Sequence, residues 1–82
     1  MSLRDRVSTL VNTNFPAIAR SRLKDSDSFL ESGAIDSFGV MELVSQLDRT
    51  FNIKTNDDDL MPDNFDSVEL IVAYLRRKGV AE

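Results

Sequence analysis

The sequence predicts an all-α fold, a small four-helix bundle with three main helices and a short third one. Apolar residues recur at every third or fourth position in three separate stretches, which is the spacing of one helix face. No stretch alternates apolar and polar residues in the manner of a half-buried strand. With 82 residues, the chain is expected to form a single domain over residues 1–82.

The first predicted helix covers about residues 3–13. Its apolar stripe has the i, i+4, i+7 and i+8 spacing of one helix face and consists of Leu3, Val7, Leu10 and Val11. Ser2 followed by Asp5 resembles a capping box that would begin this helix. The helix is expected to end before Pro16, because a proline disfavours helical geometry at the residue that precedes it.

A long loop is predicted between the first and second helices, over residues 15–35. Its second half, "KDSDSFLESGAIDS", is rich in the Asp, Ser and Gly residues of turns and caps. A short helical turn within "PAIARSRL" is compatible with the sequence, and Phe29, Leu30 and Ile35 are expected to pin the loop to the core. Connections of this length in small domains are usually functional.

The second predicted helix covers residues 37–51. Its wide apolar face consists of Val40, Leu43, Val44, Leu47 and Phe51. Asp36 is the predicted N-cap, which leaves Ser37 at the first helical position. Gly39 in the first turn costs about 1 kcal/mol relative to alanine. That cost suggests that another group approaches the backbone at this position.

The remaining helices are predicted at residues 62–65 and 67–78. Pro62 is suited to the first turn of the short third helix. Asp66 is the predicted cap of the last helix, with Glu69 three residues later as in a capping box. Gly79 is expected to end it, since glycine readily adopts the left-handed geometry of a helix C-terminus.

Acidic residues are concentrated in the middle of the chain. Residues 25–69 contain twelve acidic and two basic residues, although the whole chain has a net charge of −4. Such a region repels phosphate backbones, so nucleic acid is not an expected partner. It favours basic protein surfaces, although a solvated acidic face that maintains solubility explains the charge equally well. The chain has no run of eighteen apolar residues, so a cytoplasmic monomer without membrane insertion is expected.

The residue types of the chain speak against an enzyme or a metalloprotein. With no cysteine and no histidine, it has no thiolate zinc ligand and no imidazole base to activate Ser37 as a nucleophile. The three carboxylates of "NDDD" are adjacent and lack the spacing of a calcium loop, so no metal site is expected. The Ser37 hydroxyl is therefore a better substrate for another enzyme than a catalyst.

An anionic group on Ser37 would lie at a helix N-terminus, where exposed anions gain ~0.3–1 kcal/mol from unpaired N–H groups and the helix dipole. The alternative is that Asp36 and Ser37 merely begin the helix, since serine is common in first turns. The spacing of the residues leaves both interpretations open and favours the second.

The stretch "FLESGAIDSFGVMELVSQLDRTFNI" resembles the attachment region of the acyl carrier and peptidyl carrier protein family. The matching features are Gly33 in the preceding loop, the triplet Asp36-Ser37-Phe38, the pair Glu42-Leu43 and the helix exit Phe51-x-Ile53. The resemblance continues through the acidic connector into "DNFDSVELIVAYL". It covers roughly residues 25–78 and implies an acyl-carrier-like four-helix bundle.

The resemblance implies that Ser37 carries 4′-phosphopantetheine, transferred from coenzyme A, and that the thiol of this arm holds an acyl or aminoacyl group. The protein would then be a non-catalytic carrier. Its partners would be a phosphopantetheinyl transferase, an adenylate-forming acyl or aminoacyl ligase, and a downstream acyltransferase or synthase. Asp36 would help to position the metal and the cofactor in the transferase.

Phe38, Met41 and Glu42 would form the docking surface of such a carrier, on an acidic face of the second helix. Other roles are open for each: Phe38 could fold under the loop against Phe29 or Ile35, Met41 could belong to the core edge, and Glu42 could be solvated surface.

Gly39 stands where fatty-acid carriers usually have an acid. The combination of Asp, Ser, a hydrophobic residue and Gly looks more like D-alanyl carriers and other free-standing aminoacyl carriers. The alternative from another class is a small helical protein–protein interaction module without a prosthetic group.

Overall fold

The computed structural model describes all 82 residues and contains five α-helices, no strand and one 3-10 turn at Asp57–Asp59. The helices are α1 (Leu3–Asn14), α2 (Pro16–Ser21), α3 (Ser37–Phe51), α4 (Pro62–Phe65) and α5 (Val68–Arg77). The all-α prediction is confirmed. None of the helices has both the length and the hydropathy that crossing a bilayer would require.

One apolar cluster joins the helices. The predicted stripe of α1 is buried throughout, as are Leu43, Val44, Leu47 and Phe51 of α3. Val40 is the exception in the predicted stripe of α3, because it is only partly buried and lies at the edge of the cluster. α5 packs against α1 and α4, and α4 also contacts α3. The short α4 therefore lies between the two long helices that follow the loop.

The helix α2 occupies the beginning of the region predicted as a loop. Phe15 leaves helical geometry, with φ −130° and ψ 86°, and Pro16 then begins a new helix at its first position. Ile18 is buried against the core, and α2 ends at Arg22, which has a left-handed backbone with φ 49°. A single buried isoleucine is too weak a pattern for this helix to be predicted with definite bounds from spacing. The irregular segment is consequently shorter than predicted and covers residues 22–36.

The beginning of this irregular segment is tied to α1 and α5. The Arg4 guanidinium donates two hydrogen bonds to the Asp25 carboxylate, with Nε–Oδ2 and Nη2–Oδ1 distances of 2.7 and 2.6 Å. These bonds lower the pKa of Asp25 and raise the pKa of Arg4. The Asp25 carbonyl in turn accepts the backbone N–H of Glu69 at 3.0 Å. The loop is therefore attached to both helices over which it passes.

The prediction that Asp66 caps the last helix is wrong. Ser67 is the N-cap of α5, and its hydroxyl accepts the backbone N–H of Leu70 at 3.1 Å. Asp66 lies instead in the short junction between α4 and α5, where its carboxylate faces the loop. Both residues are capable N-caps. Ser67 becomes the cap because the Asp66 carboxylate accepts hydrogen bonds from loop residues that are distant in the sequence.

Candidate functional site

Ser37 is the first residue of α3 and is exposed. Asp36 precedes it as the N-cap, as predicted, and its Oδ1 accepts the backbone N–H of Gly39 at 2.8 Å. The hydroxyl of Ser37 takes part in none of the hydrogen bonds of the chain. Since Asp36 already caps the helix, the Ser37 side chain has no structural role in beginning it.

The group that approaches the backbone of Gly39 is a side chain of the protein itself. A Cβ atom at position 39 would lie 2.3 Å from Cγ1 and 3.1 Å from Cδ1 of Ile35. Ile35 is buried and is the last residue before the Asp36 cap. The glycine therefore allows Ile35 to lie across the first turn of α3. Packing within the chain is sufficient to explain this glycine.

Phe38, Met41 and Glu42 lie on one exposed face of α3, directly after Ser37, because residues three and four apart share a helix face. Phe38 is 87% exposed and Met41 is 50% exposed. Phe38 therefore does not fold under the loop, and that alternative is wrong. Glu42 is exposed and accepts a hydrogen bond from Gln46 Nε2 at 3.2 Å.

The exposed face of α3 is less acidic than expected. Asp48 turns toward the segment after the helix, where its carboxylate accepts the Thr55 hydroxyl at 2.7 Å and the Thr55 backbone N–H at 3.2 Å. Glu42 is thus the single acidic residue of α3 that faces outward, and the helix ends with the exposed Arg49. Exposed aspartates occur instead around α4, at Asp57, Asp58 and Asp63.

An apolar cleft of about 190 Å³ opens beside Ser37, between α3, α4 and the loop. Ser37 and Pro62 line it together with Leu30, Val40, Met41, Leu60, Met61 and Phe65. Sequence reasoning missed Leu60 and Met61, because the connector that contains them has no periodicity. Leu30 was predicted only to pin the loop. Met61 is 48% exposed, and this exposure of a large apolar side chain becomes visible only in the folded structure.

The residues around Ser37 fit a covalently attached phosphodiester. The hydroxyl is accessible, and the backbone N–H groups of Ser37 and Phe38 donate no hydrogen bond within the chain. Such free N–H groups at a helix N-terminus favour a negatively charged group. The neighbouring cleft offers an apolar surface to a flexible arm, and no bulky side chain has to move to expose the serine.

Residues 5–75 match a family model described as a phosphopantetheine attachment site. In addition, the chain aligns over 52 residues, with 38% identity, with the D-alanyl carrier proteins of Streptococcus pyogenes serotype M1 and serotype M5 (strain Manfredo). The alignment covers 63% of this chain and 65% of each relative, so the chain spans slightly less than two thirds of their length. No solved structure matches the chain.

The family match covers the whole of α3 and the loop before it, together with most of α1 and of α5, so it does not depend on a single short motif. It speaks against an interaction module without a prosthetic group. The resemblance noted in the sequence is confirmed, and the chain belongs to the phosphopantetheine attachment-site family of carrier proteins, whose cofactor is covalently bound phosphopantetheine.

Proposed function

We propose that the protein, acting as one domain over residues 1–82, carries an acyl or aminoacyl group as a thioester on a 4′-phosphopantetheine arm attached to Ser37. The observation that carries this proposal is the exposed Ser37 hydroxyl, free of hydrogen bonds, at the start of α3 within the matched segment. The arm supplies the thiol that this cysteine-free chain lacks.

In this proposal, Ser37 Oγ is the nucleophile that accepts the phosphopantetheinyl group of coenzyme A. A new Oγ–P bond forms, the pyrophosphate bond of coenzyme A breaks, adenosine 3′,5′-bisphosphate leaves, and the hydroxyl proton passes to a base of the transferase. The chain itself offers no imidazole for this purpose. Asp36 uses Oδ1 to cap α3, and its Oδ2 makes no hydrogen bond and is available to a cation in the transferase complex.

We propose an aminoacyl group as the cargo, with D-alanine the first candidate. The support is the name of the relatives, D-alanyl carrier protein, together with the resemblance of Asp36-Ser37-Phe38-Gly39 to the attachment motif of aminoacyl carriers. The expected partners are a phosphopantetheinyl transferase, an adenylate-forming ligase and a downstream acyltransferase or synthase. We expect the carrier to be a monomer and to act in the cytoplasm.

Intact-mass measurement in two stages tests this function. Incubation with coenzyme A and a promiscuous phosphopantetheinyl transferase is expected to add one phosphopantetheinyl group. Subsequent incubation with ATP and an adenylate-forming ligase is expected to add one amino acid, which hydroxylamine should release because a thioester is cleaved by this nucleophile. An unchanged mass after the first stage would contradict the carrier function. Loading of fatty acids in preference to amino acids would contradict the proposed cargo.

We further propose that Phe38, Met41 and Glu42 form the docking surface for the partner enzymes. This proposal is supported by the continuous exposed face that the three side chains form directly after Ser37. Aromatic and methionine side chains are enriched at protein interfaces, and an exposed charge mainly accelerates association and selects the partner. The docking is expected to be weak enough for the carrier to be released after each transfer.

The variant Glu42→Lys is expected to slow modification or loading by about threefold to tenfold at low ionic strength, because rim charges act mainly on the association rate. The difference should shrink as salt is added. Glu69→Lys is the matched control, since it makes the same charge change at an exposed position of α5. Equal rates for folded Glu42→Lys and wild-type protein would remove Glu42 from the docking surface.

A further inference from the structure

One carboxylate, that of Asp66, holds the middle of the loop before Ser37. Its Oδ1 accepts the backbone N–H of Leu30 at 2.9 Å, and its Oδ2 accepts the hydroxyl of Ser28. The Asp66 carbonyl accepts the backbone N–H of Phe29 at 2.7 Å. Three consecutive loop residues are thus bound to a single residue in the junction between α4 and α5. We call this arrangement of Ser28, Phe29, Leu30 and Asp66 the Asp66 clamp.

The clamp is connected to Ser37 through the backbone of the loop. The Phe29 carbonyl accepts the N–H groups of Ala34 at 3.1 Å and of Ile35 at 3.3 Å. The Phe29 side chain is only 1% exposed, so its position in the core is well defined. Asp36 alone separates Ile35 from Ser37. The position of Phe29 therefore determines the direction from which the chain enters α3.

A second connection runs through the cleft beside Ser37. Leu30 is held by the clamp through its backbone N–H, and its side chain lines the same cleft as Ser37. Phe65, directly before Asp66, is completely buried at the base of this cleft. The clamp therefore fixes the position of Leu30, on the loop side of the cleft, relative to α3 and Ser37.

We propose that Asp66 is a positioning residue for the modification of Ser37, acting by holding the preceding loop in the arrangement that the transferase binds. This inference rests on the proposed function of Ser37. Without the clamp, the loop occupies several arrangements, of which only one is competent to bind. The apparent affinity of a binding partner falls in proportion to the competent fraction. A substitution that removes the Asp66 carboxylate should therefore raise the KM of the transferase for the apo-protein. The kcat of the transferase should stay unchanged, because the complex is the same once it has formed.

The variant Asp66→Ala removes both side-chain bonds of the clamp, and we expect KM to rise about tenfold with kcat unchanged. Asp66→Asn is the conservative variant. Its carbonyl oxygen can accept the Leu30 N–H and its amide can donate to the Ser28 oxygen, which has a lone pair free beside the Glu31 N–H. Its KM should therefore stay within about twofold of wild type.

Thr55→Ala is the matched control. It also removes two partly buried side-chain hydrogen bonds, those between the Thr55 hydroxyl and Asp48 and Tyr74. These bonds lie beyond the other end of α3, about 20 Å along a helix of fifteen residues. A general loss of stability would affect both variants, whereas a positioning effect should raise KM in Asp66→Ala alone.

Amide hydrogen exchange measures the clamp independently of any enzyme. The N–H groups of Phe29 and Leu30 should exchange faster in Asp66→Ala and at the wild-type rate in Thr55→Ala. If Asp66→Ala does not fold, Ser28→Ala carries the same test, because it removes one bond of the clamp and should raise KM about threefold.

A wild-type KM in folded Asp66→Ala, or an equal rise in Thr55→Ala, would overturn this inference. An Asp66→Asn variant as impaired as Asp66→Ala would also overturn it, because it would tie the effect to the charge and not to the clamp. Failure of wild-type protein to be modified would overturn the proposed function together with this inference. Modification that depends on Ser37 but not on Asp66 would overturn the inference alone.

Discussion

Substitution of Ser37 by alanine is expected to abolish the addition of phosphopantetheine completely. The hydroxyl oxygen is the atom that would form the bond to phosphorus, so its removal leaves no acceptor. The fold should be retained, because Asp36 supplies the helix cap and alanine is a good residue for the first turn. We expect stability to change by less than about 0.5 kcal/mol, as for other exposed substitutions. Intact mass after incubation with coenzyme A and transferase measures the effect.

Ser45→Ala is the control for this variant, since Ser45 is also an exposed serine of α3, two turns further along. It should be modified as fast as the wild-type protein. If Ser37→Ala still gained the mass of one arm, attachment at Ser37 would be wrong. Mapping of the modified peptide would then locate the true acceptor.

The second large effect is expected at Gly39, where alanine should destabilise the protein although it is the better helix former. Alanine in place of glycine contributes about 1 kcal/mol to an exposed helix. Here, its Cβ would lie 2.3 Å from Cγ1 of the buried Ile35, and overpacking of this kind costs about 1–3 kcal/mol. A net loss of about 1 kcal/mol is expected, which lowers the melting temperature by roughly 4–8 °C in a domain of this size.

A double-mutant cycle isolates the cause of this loss. Ile35→Ala removes both atoms that would collide with the new Cβ, and by itself should cost about 2–5 kcal/mol. In the Ile35→Ala background, the change Gly39→Ala should become stabilising by about 1 kcal/mol. The reversal of sign is the decisive result. A destabilisation that is the same in both backgrounds would show that the contact with Ile35 does not explain the glycine.

The fold was predictable from the sequence because apolar residues at helical spacing indicate three of the helices clearly. The stripe of α1 and four of the five stripe residues of α3 are buried as expected. The bounds of α2 could not be predicted from the sequence, because Ile18 is its single buried residue. Its beginning also depends on the non-helical backbone of Phe15. Competing caps were also undecidable locally, since Asp66 and Ser67 are adjacent and each is a suitable N-cap residue.

The candidate site was predictable in part. The absence of histidine and cysteine pointed to Ser37 as a substrate hydroxyl, and Asp36 occupies the cap position that its place in the sequence indicated. The cleft was not predictable, because Leu30, Leu60 and Met61 belong to segments without periodicity that meet only in the folded chain. The orientation of Asp48 toward Thr55 likewise depends on the direction in which the chain leaves α3.

By itself, the sequence determined the helical class, the N-cap of α3 at Asp36 and the position of Ser37 as its first residue, because caps and apolar stripes depend on neighbours within a few residues. Only the tertiary structure decided that Ile35 fills the space left by Gly39, that Phe38 faces outward, and that Asp66 holds the loop. Asp66 is separated from Leu30 by 36 positions in the chain. Contacts of that kind form only when packing of the core brings distant segments together, so no local pattern records them.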